Sequence, residues 1–467
     1  VKTKEKTIQE SREASLQGTR QDFTSGPIAG PLVRFALPVL LALVLQALYG
    51  AVDLWVVGKF ASSADVSAVS TGSQLTSMIA NVTASLCMGC TILLGIQIGQ
   101  GRGEDGGITI GASIYLFGII GLAVSVAVAC LASPLARLLQ APEEAFAGTV
   151  AYLRICGGGT VVIAAYNILG SIFRGIGDSK TPLVTVAIAC AFNIAGDLLN
   201  VAVFHMGAAG AAVATVFAQA ISVLISVRII RRQPLPFLFT RSMVRSNPPV
   251  MRRVFSLGFP LGLSDFLVGV SFLVILAIVN SLGLIASAGV GVAEKVCAFI
   301  MLVPSSFMQS LASVVSQNYG AKKYDRCRKA LRSAISLSFT FGVVMFYFNY
   351  FHGILAASVF SQDPAVLYAA AEYLRAYAID CLFTAFLFCF IGYFNGIGMT
   401  RFVMIQGLIG AFAVRIPVSI LMRNLYPESL FRIALATPCS SVVQILLCLF
   451  AMLYARRKVL TVPSETL

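Results

Sequence analysis

Two aspartates and an asparagine, Asp53, Asn193 and Asp197, stand in stretches otherwise apolar enough to cross a membrane, with no Lys or Arg at comparable depth in those stretches. An acid without a counter-charge is costly to keep in such a setting, so its first reading is functional. Asn193 and Asp197 are four residues apart, which places them on one face of a helix. A helix rises about 1.5 Å per residue, so all three residues fall in the outer half of their spans. Thr215, on the next span and running inward, comes to a similar depth. Four oxygen-bearing side chains can therefore converge, and hard oxygen ligands are what a small cation takes. Asn167, on the fourth span and deeper toward the cytoplasm, is a candidate fifth. The competing reading is that Asn193 and Asp197 only hydrogen-bond neighbouring helices.

The elements that position these groups follow from composition. Of 467 residues, 58% are hydrophobic and 12% are charged, and the mean hydropathy is +0.87. Apolar runs recur with lengths near the roughly 20 residues that a bilayer demands. Runs broken by Gly, Pro and charge predict twelve spans, beginning near residues 32, 67, 108, 149, 181, 207, 254, 285, 333, 368, 402 and 431. The fold class is an all-α membrane protein with twelve transmembrane helices.

A net charge of +14 invites nucleic acid as a partner, but the charge is one-sided. Lys2, Lys4, Lys6, Arg12 and Arg20 of the tail share a side with Arg231, Arg232, Arg241, Arg245, Arg252 and Arg253. Lys322, Lys323, Arg326, Arg328, Lys329 and Arg332 lie there too, as do Arg456, Arg457 and Lys458. The opposite loops hold little beyond Lys59, Arg137, Arg423 and Arg432. The excess marks the cytoplasmic side, places both termini there and leaves nucleic acid unnecessary. The segment to about Phe23 is polar, lacks an apolar core and does not read as a signal peptide. Most of the eleven cysteines fall within apolar spans. Cys87 and Cys90 have C-x-x-C spacing but no second pair and only two histidines in the chain, so helix packing is favoured over metal or redox chemistry.

The chain repeats itself. Pro38 and Pro260 sit in matching contexts, ALPVLLALV and GFPLGLSDF, at an offset of 222 (260 less 38). GIQIGQGRGED at 95–105 aligns with VSQNYGAKKYD at 315–325, and FRGIGDSKTP at 173–182 with FNGIGMTRFV at 394–403. Anchors in one order predict two pseudo-symmetric six-helix lobes, over 31–230 and 254–458. A cytoplasmic tail over 1–30, a cytoplasmic linker over 231–253 and a C-terminal tail over 459–467 complete the division. Each half starts on the same side, a parallel repeat of the kind secondary transporters use.

LPVLLALVLQALYGAVDLWVVGKF at 37–60, RGIGDSKTP, GAAGAAVATVFAQ at 207–219, the Q-x-x-G-A stretch at 317–321 and NGIGMTRF at 395–402 together resemble the MATE (multidrug and toxic compound extrusion) transporters. The likeness runs over nearly the whole chain after the tail, and is nearer the bacterial and archaeal type with DinF-like members than the eukaryotic branch. The resemblance implies a multi-pass protein of the plasma (inner) membrane. It would export cationic or amphipathic organic compounds against inward sodium or protons, by alternating access between two lobes. It also implies that Asp53, Asn193, Asp197 and Thr215, with Asn167, form the cation site of the first lobe. Sodium is preferred over protons because the set includes neutral donors. No cofactor and no metal beyond that sodium are expected, and the oligomeric state stays open.

In the second half, Asp265 and Asp380 lie in or near the membrane, with Lys295 and Arg415 as candidate partners. Structural pairing and a second cation site are both open there. The acid that some family members carry eight residues after the proline is Val268 here. Pro38 removes a backbone donor inside the first span and bends it, either as a hinge that moves Asp53 or as a static kink. An enzyme is not expected, since no metal or nucleophile motif is present, and Gly58-Lys59 lacks the glycine-rich run of a phosphate loop. A flippase for lipid-linked oligosaccharides shares the general plan, but would need basic groups for phosphate where this chain offers acids.

Overall fold

Apolar runs of this length satisfy their backbone polar groups internally, and in a bilayer a helix does so segment by segment. A computed structural model describes residues 21–232, 239–427 and 429–459. Lys2, Lys4, Lys6, Arg12 and Arg20, linker residues 233–238 and the tail from 460 lie outside the described residues, as do the side chains of Arg232, Arg456, Arg457 and Lys458. Among the described residues, eleven helices are long and apolar enough to cross a membrane, and a bent pair makes a twelfth. In chain order they are α1 (Ala29–Phe60), α2 (Ser63–Gly99), α3 (Asp105–Cys130), α4 (Glu143–Gly158 with Thr160–Gly175), α5 (Lys180–Val203) and α6 (Gly207–Arg231). Then come α7 (Pro248–Asn280), α8 (Leu284–Gly320), α9 (Tyr324–Ala357), α10 (Pro364–Gly396), α11 (Thr400–Leu425) and α12 (Leu430–Tyr454). Eleven begin close to where the apolar runs predict. The largest difference is α9, whose first turns carry Asp325, Arg326, Arg328, Lys329 and Arg332 and so extend the helix beyond its apolar part.

The chain packs as two units. The first holds the chain to Gly262 together with Ala312–Arg328 and Gly396–Gly398, and the second holds Leu263–Leu311, Lys329–Asn395 and the chain from Met399. In the first unit α5 lies against α6 and α1, and α2 lies against α4. Small residues set these distances. The 47° bend in α4 falls at Gly159, where a Cβ would come within 2.6 Å of Val216 on α6. The end of α2 and the end of α8 meet reciprocally: a Cβ on Gly99 would strike the Gln317 carbonyl, and one on Gly320 would strike the Ile96 carbonyl. Those pairs share an offset of 221 (320 less 99, 317 less 96), so the packing repeats as the sequence does. Gly177 and Gly398 occupy the same left-handed backbone, at φ +83° and +82°, a region that favours glycine.

Ahead of α1, residues 21–26 form a strap across one end of this unit. Phe23 is 3% exposed and meets Phe35 edge-on at 5.2 Å. Asn318 Nδ2 and Arg326 Nη2 donate to the Phe23 carbonyl, each at 3.0 Å. Arg326 also reaches the carbonyls of Ser25 and Gly26, at 2.9 Å each. The Gln21 backbone donates to the Gly177 carbonyl. Burial raises the Asp22 pKa, but donors from Ser25 and Thr24 outweigh it and hold the carboxyl below its ordinary range. At the opposite ends of α1 and α5, Ser62 and Asp65 form a capping box on α2. Asp65 Oδ1 also accepts from Ala208 N at 3.0 Å, which ties the start of α2 to the start of α6.

Candidate functional site

The tight α1–α5–α6 packing draws the four sequence-predicted oxygens together. Asp53, Asn193, Asp197 and Thr215 are 6%, 2%, 0% and 8% exposed. Thr215 Oγ1 donates to Asp53 Oδ2 at 3.3 Å, and Asn193 Nδ2 donates to Thr215 Oγ1 at 3.4 Å. The carboxyls of Asp53 and Asp197 face each other within hydrogen-bonding reach. Immediately after Asp197 the helix widens into a π turn over Leu198–Val203, a distortion that recurs at functional sites.

Carboxylates accept hydrogen bonds and donate none. Two of them in contact and buried therefore need something positive between them: a shared proton or a bound cation. Among the described residues, the neighbours that act on Asp53 are Asp197, Thr215 and Asn193, and none is cationic. Asp53 Oδ1, both carboxyl oxygens of Asp197 and Asn193 Oδ1 are buried without a donor. Buried acceptors are normally satisfied. This surplus of acceptors fits a small cation, which needs oxygen ligands and no donors.

A cavity opens beside the cluster, lined by Tyr49, Tyr166, Val186, Ala189, Asn193, Thr215, Ala218 and Gln219. It is small, about 20 Å³, with room for about one water molecule or one small dehydrated ion. Asn167 does not line it. Its Nδ2 donates to the Ile163 carbonyl at 3.0 Å, one turn back on its own helix. The neighbouring Tyr166 faces the cavity instead, and its hydroxyl accepts from Gln46 Nε2 at 2.6 Å. Gln46, Tyr49, Tyr166 and Gln219 are not among the residues that the sequence singles out. The available signal was spacing, since Gln46 and Tyr49 precede Asp53 by seven and four residues, and Gln219 follows Thr215 by four.

In the second unit, Asp380 on α10 is 1% exposed and hydrogen-bonds Ser441. Of its two candidate partners, Arg415 is the one beside it. Arg415 is 7% exposed and ends a π turn over Ile409–Arg415. It donates from Nη1 to Ser271 Oγ at 3.2 Å and lies 4.4 Å over the Phe272 ring. Lys295 is exposed and faces Phe360. Asp265 is exposed on α7, so it does not share the buried setting of Asp380. Cys87 and Cys90 are buried in a cluster with Leu93, Leu94, Ile168 and Ile172.

Comparison with known proteins follows the same outline. A family model described as MatE matches residues 38–199 and 260–421, two segments at the offset of 222 that separates Pro38 from Pro260. A probable multidrug resistance protein of Bacillus subtilis (strain 168), YoeA, is 26% identical over 345 residues, which cover 72% of this chain and 74% of that one. A second from the same organism, YpnP, is 25% identical over 403 residues, covering 86% and 89%. Among solved structures, an outward-facing multidrug resistance MATE family transporter of the MOP superfamily superposes with a TM-score of 0.86 at 18% identity, over 93% of this chain and 97% of that one.

Proposed function

This chain belongs to the MatE family, and from that premise we propose that it is a secondary antiporter that exports amphipathic organic compounds, cations foremost, in exchange for an inward-moving small cation. The observation that carries the reading is the buried set of Asp53, Asp197, Asn193 and Thr215, rich in acceptors and free of a cationic partner among the described residues. Names of relatives as multidrug resistance proteins support the substrate class.

Asp53 and Asp197 would hold the coupling ion as charged ligands, with Thr215 and Asn193 as neutral ones. Sodium is favoured over the proton, because a proton needs only the carboxylates whereas sodium also uses neutral oxygens. When bound, the ion cancels the repulsion between the two acids. Its loss to the cytoplasm restores that repulsion, so α1 and α5 have different preferred arrangements in the two states. A ligand can shift a conformational balance only through such a difference in affinity. Pro38, buried within α1, breaks the hydrogen-bond ladder below Asp53 and supplies a place for α1 to bend. The protein would sit in the plasma membrane with both termini in the cytoplasm.

The test is uptake of a fluorescent cationic dye into inside-out vesicles, with sodium and proton gradients imposed separately. Gradient-driven movement should be lost in Asp53→Asn. Uptake that proceeds in Asp53→Asn as in the parent chain would sink the proposal, and movement under a proton gradient alone would replace sodium with the proton.

A further inference from the structure

Below the acid pair, the polar groups do not stop. Tyr49 and Gln46 lie one and two turns before Asp53 on the same face of α1, and Gln219 lies one turn beyond Thr215 on α6, a spacing of four residues or about 6 Å along the axis. Since α1 and α6 run in opposite directions, both displacements point the same way, from the acid pair toward the middle of the first unit. The Gln219 side chain hydrogen-bonds Tyr49. Its Oε1 is buried and has no donor. Asn193, 2% exposed, lines the same cavity with Thr215, Tyr49, Gln219 and Tyr166, and its Oδ1 is likewise without a donor.

We infer that this cavity is a second station for the coupling ion, one helical turn inward of Asp53 and Asp197. Gln219 Oε1, Asn193 Oδ1 and the hydroxyls of Tyr49 and Thr215 are its ligands. Resting on the antiporter reading above, the inference names the chemistry of the ion: a partly dehydrated monovalent cation of sodium's size. The physical reason is the donor set. All four ligands are neutral, so they suit a single charge and fall short of what a divalent ion needs to shed its water. A proton gains nothing from amide oxygens of this kind. Thr215 and Asn193 belong to both stations, so an ion can pass from the acids to the neutral site without leaving oxygen coordination. Tyr166, held by Gln46 at 2.6 Å, lines the same cavity.

The experiment is equilibrium binding of radioactive sodium to the purified full-length chain in nanodiscs, for the parent, Asp53→Asn, Gln219→Leu, Gln219→Glu and Tyr49→Phe. Removing a neutral ligand should weaken binding by about tenfold or more in Gln219→Leu, in the range seen when groups that support a metal site are lost. Adding a charge in Gln219→Glu should tighten it by a similar factor, because ligand charge sets cation affinity. Tyr49→Phe should weaken it less than Gln219→Leu. The gain in Gln219→Glu is the arm that misfolding cannot imitate. If Asp53→Asn abolishes sodium binding while both Gln219 variants and Tyr49→Phe bind like the parent, the second station is wrong and the antiporter reading survives. If the parent binds no sodium saturably, or Asp53→Asn binds it unchanged, the sodium reading fails and the station with it.

Discussion

At the scale of single residues, Thr215 is the hinge of the site, since one hydroxyl donates to Asp53 and accepts from Asn193. Thr215→Val keeps the branched shape and removes that hydroxyl. We expect gradient-driven transport to fall by about tenfold through weaker ion binding, with folding retained, because the loss is of one ligand in a site that keeps both acids. Titrating the sodium dependence of dye uptake checks it: the half-saturating sodium should rise while the maximal rate changes little. The acids and their i, i+4 partner were legible in the sequence because a charge in an apolar run has no inexpensive explanation. Neutral polar groups do have one, and Asn167 takes it by donating to the carbonyl four residues back. Thr83, Thr149 and Asn349 do the same. Tyr49 and Gln219 carry only their four-residue spacing from Asp53 and Thr215 as a sequence signal. The helix packing shows that they face a cavity.

At the scale of the helix, the two interruptions of the regular ladder in α1 and α5 are backbone features, and they differ in legibility. Pro38 is written in the sequence, as is its counterpart Pro260 within α7. The π turn after Asp197 is not, because nothing in LLNVAV separates it from an ordinary helical stretch. The same holds for the π turn at Ile409–Arg415. Proline inside a helix withholds one ladder hydrogen bond and its ring crowds the carbonyl one turn before. Pro38→Ala restores both, so the straight form of α1 gains relative to the bent one. If bending accompanies transport, sodium-driven dye uptake falls severalfold in Pro38→Ala while equilibrium sodium binding stays close to the parent's. Undiminished uptake would leave Pro38 as a static kink and place the motion elsewhere, with the π turn of α5 the next place to look.

For the molecule as a whole, the strap supplies a check on the parity of the crossings that hydropathy alone does not give. Phe23, Gly177 and Asn318 meet at one end of the first unit, through the contacts of Gln21 with Gly177 and of Asn318 with Phe23. An even number of spans must therefore separate each from the next. Four helices, α1 to α4, lie between the first two, and four, α5 to α8, between the second and third. This agrees with the charge asymmetry, which puts Lys322, Lys323 and Arg326 on the same side as the basic turns of the linker. The bend in α4 was hidden from sequence, since Gly157-Gly158-Gly159 reads equally well as a flexible span or as a turn. The one-sided placement of Lys and Arg sets the orientation. It predicts that alkaline phosphatase, active only outside the cytoplasm, works when fused after Leu282 and not when fused after Lys322. A fluorescent protein that matures only in the cytoplasm should show the opposite pattern. The reverse result would put Asp53 and Asp197 in the cytoplasmic half of the membrane and turn the proposed ion path around. The inward station at Gln219 would then become the outer one, so the fusion experiment decides the direction in which an ion meets the two stations.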